Sequence, residues 1–160
     1  MKQQIVEWLS RRHVELTDIA HIVLELQRPY YSDLTLDYCL ESVHRVLDKR
    51  EVQHALYTGI ALDELAEQKL LPEPLQSIME KDEPLYGVDE ILALSVTNVY
   101  GSIGLTNFGY LDKTKIGILG YLNNHASEIH VFLDDLVASV AAAAAARIAH
   151  QHHASSYKDE

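Results

Sequence analysis

Three pairs of adjacent acids carry the first chemical signal: Asp63-Glu64, Asp89-Glu90 and Asp134-Asp135. Each lies in a stretch that reads as helix, with apolar residues on both sides. Neighbouring helix residues point about 100° apart. One acid of a pair can therefore face a cavity while the other meets a neighbouring helix or a second metal. Carboxylates converging from separate helices make a site for a hard cation such as Mg²⁺ or Mn²⁺. A competing reading is electrostatic, because acids near a helix start favour the macrodipole. It suits Asp89-Glu90, just after Gly87; Asp63-Glu64 reads instead as part of a polar face that continues through Glu67 and Gln68. It suits Asp134-Asp135 only in part, since that pair is expected about a turn and a half inside its helix.

Other polar residues offer weaker signals. His54 and Thr58 are one helical turn apart and could line a cavity, with His54 as a proton relay; the alternative is a core histidine and a back-bonding threonine. Asn98, Ser102, Thr106 and Asn107 could hold a phosphate or satisfy a bent backbone. His150, His152 and His153 read as a solvated tail, and Cys39 as a small core residue. Glu64-x-x-Glu67 and Glu80-x-x-Glu83 are similar to the paired motifs of helical nucleotide pyrophosphatases, but Asp82 to Pro84 reads as loop. No serine or cysteine triad and no His-Asp dipeptide can be argued.

The elements that must position these residues are helices. The centre is a run of alanine and small apolar residues from Leu136 to Ala146, broken only by Ser139. Alanine has the highest helix propensity, so one helix is expected from about residue 128 to about residue 150. A helix apolar all round is normally buried all round. The spacing predicts further helices over 5–12, 18–27 with Thr17 as cap, 36–47 with Thr35 as cap, 49–69, 75–80, 88–99 and 113–123, with a loop at 82–87. Asn123-Asn124-His125 turns into the central helix. Gly101, Gly104 and Gly109 suggest a bend, a cap or close backbone approach, and their spacing fits no nucleotide loop. The reading is all-α: a single-domain bundle over 1–154, its central alanine-rich helix surrounded by about five others, with a disordered tail at 155–160.

Composition limits the function. There are 24 acids against 13 bases, a formal charge of -11. That disfavours nucleic acid and anionic membrane surfaces. A single cysteine suits a reducing cytosol. Residues 1–5 lack the apolar core of a signal peptide, and the longest apolar run is too short to span a bilayer. The expectation is a cytoplasmic protein, with at most peripheral contact at the inner face of the membrane.

Three segments follow each other in an order that resembles a known family: Val88-Asp89-Glu90-Ile-Leu-Ala-Leu94, Asn98-Val-Tyr-Gly-Ser-Ile-Gly-Leu-Thr-Asn-Phe-Gly109, and Phe132-Leu-Asp134-Asp135-Leu-Val-Ala-Ser139. They resemble the phosphatidylglycerophosphatase A family, in particular its soluble, Firmicute-type branch, also known as low-temperature-requirement protein C. That likeness extends through residues 50–54 and 58–65. The resemblance implies an all-helical fold and a magnesium-dependent phosphatase acting on phosphatidylglycerophosphate. The family's Asp-Glu motif carries over to Asp89 and Glu90, and its Asp-Asp motif to Asp134 and Asp135, as metal ligands. Between those motifs the membrane enzymes have an arginine, an aspartate and a lysine-proline pair; here Tyr100 to Asn107 holds no acid, base or proline.

The leading expectation is thus a phosphomonoester hydrolase. Asp89, Glu90, Asp134 and Asp135 would bind Mg²⁺ or Mn²⁺, and Asp89, Asp134 or His54 would handle the proton. Asn98, Ser102, Thr106 and Asn107 would hold the phosphate of a small molecule or lipid head group. One rival is a catalytically silent helical module that self-associates; another is a nucleotide hydrolase using Glu64, Glu67, Asp89 and Glu90. A homo-oligomer is expected.

Overall fold

The computed structural model describes residues 1–124 and 127–156, with side chains as far as His152. His125, the side chain of His153 and residues 157–160 of the expected tail lie outside the described residues. The described chain is all-α, without strands. Its helices are α1 (Lys2–Arg11), α2 (Leu16–Gln27), α3 (Leu36–Leu47), α4 (Arg50–Glu67), α5 (Leu75–Lys81), α6 (Val88–Thr97), α7 (Gly101–Thr114), α8 (Ile118–Asn123) and α9 (Leu133–Ser156).

The alanine run forms the middle of α9, and it is the axis of the bundle. Leu136 to Ala146 is buried throughout. Helices α2, α3, α4, α6, α7 and α8 all pack against it. Alanine makes this arrangement possible, since a methyl side chain lets neighbouring backbones approach closely. Ser139, the polar interruption, donates its hydroxyl to Leu136 O at 2.7 Å and so stays satisfied inside the core. Ser42 of α3 donates to Ala144 O at 2.9 Å, a side-chain bond onto the axis itself.

The approach of α4 to α9 is tightest at Gly59. A methyl there would collide with Leu136 Cδ1 and would lie 2.9 Å from Phe132 Cβ. The second atom is fixed to the backbone and cannot swing away.

Two boundaries differ from the sequence reading. The central helix begins at Leu133, about five residues later than expected, and runs on to Ser156. The glycine segment is helical: Gly101 to Thr114 is α7, and the helix expected over 113–123 is broken instead at Lys115 and Gly117, with φ of 48° and 57°. Gly104 is buried, and its missing side chain lets α7 pass close to Thr97 O. Small differences also occur at caps. Glu15, not Thr17, caps α2, in a reciprocal box with Asp18; Thr35 caps α3 as expected.

Gly59→Val should therefore destabilise the protein by about 1–3 kcal/mol through overpacking. Gly109→Ala, at an exposed helical position with open space around it, should stabilise it by up to about 1 kcal/mol. Thermal unfolding of the two variants checks both signs; a neutral Gly59→Val would show that α4 and α9 can part freely.

Candidate active site

The site forms where α9 starts. A helix that enters a core has N-terminal N–H groups with no partner in the helix. Here a carboxylate from another helix meets them. Asp63 of α4 is fully buried. Its oxygens accept from Phe132 N at 3.1 and 3.2 Å and from Leu133 N at 2.9 Å. Burial pushes the Asp63 carboxyl well above the usual range, against the pull of those two N–H groups and of Arg12.

The loop before α9 is held in the same way. Buried Arg12 donates to Ile129 O at 2.6 Å and pairs with Glu67 at 2.8 Å. Glu67 in turn accepts from Ile129 N at 2.7 Å. Glu64 accepts from Trp8 Nε1. Two of the three glutamates of the nucleotide-hydrolase alternative, Glu64 and Glu67, thus hold structure together.

With α9 starting at Leu133, Asp134 and Asp135 fall in its first turn, not a turn and a half inside it. Lys115, at the break after α7, reaches across to them. Its Nζ lies 2.9 Å from Asp112, 3.0 Å from Asp134 and 3.7 Å from Asp135. Asp89, in the first turn of α6, is within electrostatic reach of both Asp112 and Asp135. Its Oδ1 is buried without a hydrogen-bond partner.

Three aspartates from α7 and α9 therefore share one ammonium, and Asp89 of α6 adds its charge nearby. The protonation states show the imbalance. Burial, then the charge of Asp134, pushes Asp135 up to about 8, and Lys115 offsets only part of this. Burial also raises Asp89 and Asp134. For Lys115, burial alone would lower the pKa; Asp134, Asp112 and Asp135 outweigh it and hold the ammonium above the usual lysine range.

This donor set suits a divalent cation in chemistry and in charge. It offers carboxylate oxygens, an orphaned one among them, and it lacks positive charge. As placed, no three acid, histidine or cysteine side chains among the described residues stand at metal-ligand spacing. An ion would need Lys115 to give up part of its hold on Asp134.

The other expected residues lie elsewhere. Glu90 is exposed. His54 is on the exposed face of α4, nine residues or about 13 Å along the helix from Asp63. Thr58 Oγ1 donates to His54 O at 2.8 Å, the back-bonding alternative. Asn98 and Ser102 line one groove, and Ser102, Thr106 and Asn107 line another; neither contains an acid of the cluster. The start of α7 adjoins the far end of α9, where the His150 ring meets Tyr100 O at 3.1 Å. Asp135 and His150 are fifteen residues apart on one helix, about 22 Å.

Asp112 and Lys115 did not stand out as site residues in the sequence. Their signal is faint: an acid and a base three apart, just before a glycine. The sequence reading found no acid or base between Tyr100 and Asn107; the structure supplies Asp112 further along α7 and Lys115 at the break after it, at the cluster.

Comparison with known proteins supplies the lineage. Residues 14–150 match the family model described as phosphatidylglycerophosphatase A. The chain belongs to the phosphatidylglycerophosphatase A family. It is 62% identical over 146 residues to the uncharacterized protein YpjQ of Bacillus subtilis, covering 91% of this chain and 82% of that one. The crystal structure of YpjQ matches with a TM-score of 0.91 at 60% identity, over 95% of this chain and 94% of that one. That of the low temperature requirement C protein from Listeria monocytogenes matches with a TM-score of 0.92 at 56% identity, over 95% and 96%. The bundle around α9 is thus the fold of this branch of the phosphatidylglycerophosphatase A family. Membership implies phosphatase-like chemistry in phospholipid metabolism.

The raised Asp135 makes stability depend on pH. The unfolded chain loses this proton near 3.8, whereas the native state keeps it to about 8. Between those values the native state binds more protons, so stability falls as pH rises and levels off above about 8. Asp89 and Asp134 shift in the same direction. In chelator, the melting temperature should drop from about pH 5 to about pH 9, less steeply in Asp135→Asn. A melting temperature that rises over this range would contradict the raised carboxyls.

Proposed function

We propose that the protein is a Mg²⁺- or Mn²⁺-dependent phosphomonoester hydrolase that removes the terminal phosphate of phosphatidylglycerophosphate. The observation that carries this reading is the convergence of Asp112, Asp134 and Asp135 on a single lysine, with Asp89 within electrostatic reach, in a member of this family. Asp89, Asp134 and Asp135 would hold the ion, with Asp112 beside them. Bound there, the ion would act as a Lewis acid and lower the pKa of an attacking water. It would also let an acidic protein accept an anionic substrate.

The chain's own contribution is orientation and charge. Asp63 and Arg12 fix the start of α9, and with it the aspartates. With a cation held by the aspartates, Lys115 would be the nearby base to meet the phosphate oxygens and offset charge as the ester bond breaks. The proton for the leaving oxygen falls to one of the aspartates, since His54 stands well away along α4.

The lipid would be met from the water side. No helix among the described residues is long and apolar enough to cross a membrane. Beside Asp89 the chain exposes apolar side chains: Leu85 completely, Ile91 at 68% and Val88 at 47%. Such a rim suits shallow contact with a bilayer whose head group reaches the acids.

One observation favours a second reading, that of a catalytically silent module. Lys115 already neutralises Asp134, as a structural ion pair would. Assays separate the two. Asp134→Asn and Asp135→Asn should abolish Mg²⁺-dependent phosphate release while the helical circular dichroism stays intact. Undiminished release would refute these aspartates as the site; no release from the parent protein on any phosphate ester leaves the silent module. Leu85→Ser with Ile91→Ser should cut activity on vesicle-borne phosphatidylglycerophosphate by about tenfold or more. Activity on a short-chain soluble analogue should be unchanged; equal loss on both substrates would argue against a membrane-facing rim.

A further inference from the structure

The polar residues of α7 that do not meet the acids gather in a cleft of their own. It lies among α2, α7 and α9, with a volume of about 340 Å³, within the range of small-ligand sites. Gln27, Tyr30, Tyr31, Ser102, Thr106 and Asn107 line it, and no charged side chain among the described residues does. Two carboxamides stand at its wall with unmet hydrogen-bonding atoms. Gln27 is 4% exposed, and its Oε1 has no partner; Asn107 Nδ2 is likewise buried and unpaired. Orphaned buried polar atoms are costly, and most in native structures turn out to be paired. Both side chains belong to the cleft lining, and the terminal amide torsion, which is soft, lets either turn a donor or an acceptor toward a ligand.

The lining disfavours a phosphate, because no cation among the described residues faces the cleft and the protein as a whole is acidic. It suits a flat, neutral ring with a donor and an acceptor side by side. Carboxamides read such edges on nucleobases, and tyrosine rings stack on their faces. One face of Tyr31 is covered by the His152 ring, with centroids 3.9 Å apart. Tyr30 is 76% exposed at the rim. Ser102 and Thr106 hydroxyls can meet an attached sugar.

We propose that this cleft binds an uncharged nucleoside or free nucleobase, through Gln27 and Asn107. The inference does not depend on the phosphatase reading, because the cleft shares no residue with the acidic cluster.

Titration calorimetry of the full chain with adenosine, guanosine, cytidine and uridine tests it, with adenosine monophosphate and glucose alongside. At least one nucleoside should bind saturably below the millimolar range. Gln27→Leu and Asn107→Leu should each weaken it about tenfold. Their melting temperatures should be unchanged or higher, because each variant deletes an amide that has no partner. Absence of saturation by every nucleoside overturns the proposal. So does binding that both variants retain in full, binding of glucose in place of nucleosides, or a monophosphate that binds more tightly than its nucleoside.

Discussion

The structure depends on how a buried helix begins. The alanine axis can lie inside the bundle only if its first N–H groups are met without water. Asp63 does this from a different helix, with one carboxylate bonded to two consecutive backbone N–H groups. The cost of burying that carboxyl is offset by those bonds and by nearby Arg12. Arg12 and Glu67 hold the chain just upstream, at Ile129. Everything chemical about the site follows from this anchoring. It fixes where α9 starts, and thus places Asp134 and Asp135 in the first turn, facing Lys115 and the first turn of α6.

The same geometry gathers more negative charge than the protein itself balances. Helix starts are favourable places for carboxylates, and the first turns of α6 and α9 each contribute acids. Each acid taken alone is well placed. Packed together and partly buried, they raise one another, and Asp135 reaches about 8. Lys115 supplies one charge from a backbone position with φ of 48°, a conformation that non-glycine residues seldom adopt. A structural cluster would be better served by a second base or by fewer acids. The surplus of carboxylate and the buried, unpartnered Asp89 Oδ1 among the described residues are the features on which the proposed cation dependence rests.

The sequence displayed the axis clearly and its surroundings less so. An eleven-residue run without a polar face, Ser139 apart, has one good place in a globular protein, and the structure puts it there. The start of α9 was illegible because its cap comes from Asp63, about seventy residues away. Local propensity continues smoothly back to Glu128, and nothing nearby signals the stop. For the same reason Asp63 read as an ordinary surface acid, when it is fully buried. The glycines of α7 were legible in part: the close backbone approach expected of them occurs at Gly104 against Thr97 O, while the helix that runs through them was hidden because glycine weakens a helix. Asp89, Asp134 and Asp135 were legible through pairing and family resemblance. Asp112 and Lys115 were not, because their relevance comes from the break at 115–117, a tertiary feature.

The direct measurement of the central claim is a crystal structure grown or soaked with Mn²⁺, with anomalous data collected near the manganese edge. The account predicts an anomalous peak bounded by Asp89, Asp134 and Asp135, with the Lys115 ammonium withdrawn from Asp134. A map without a peak there, at saturating Mn²⁺ and with the Lys115–Asp134 pair intact, would contradict it and leave the cluster a structural ion pair at the head of a buried helix.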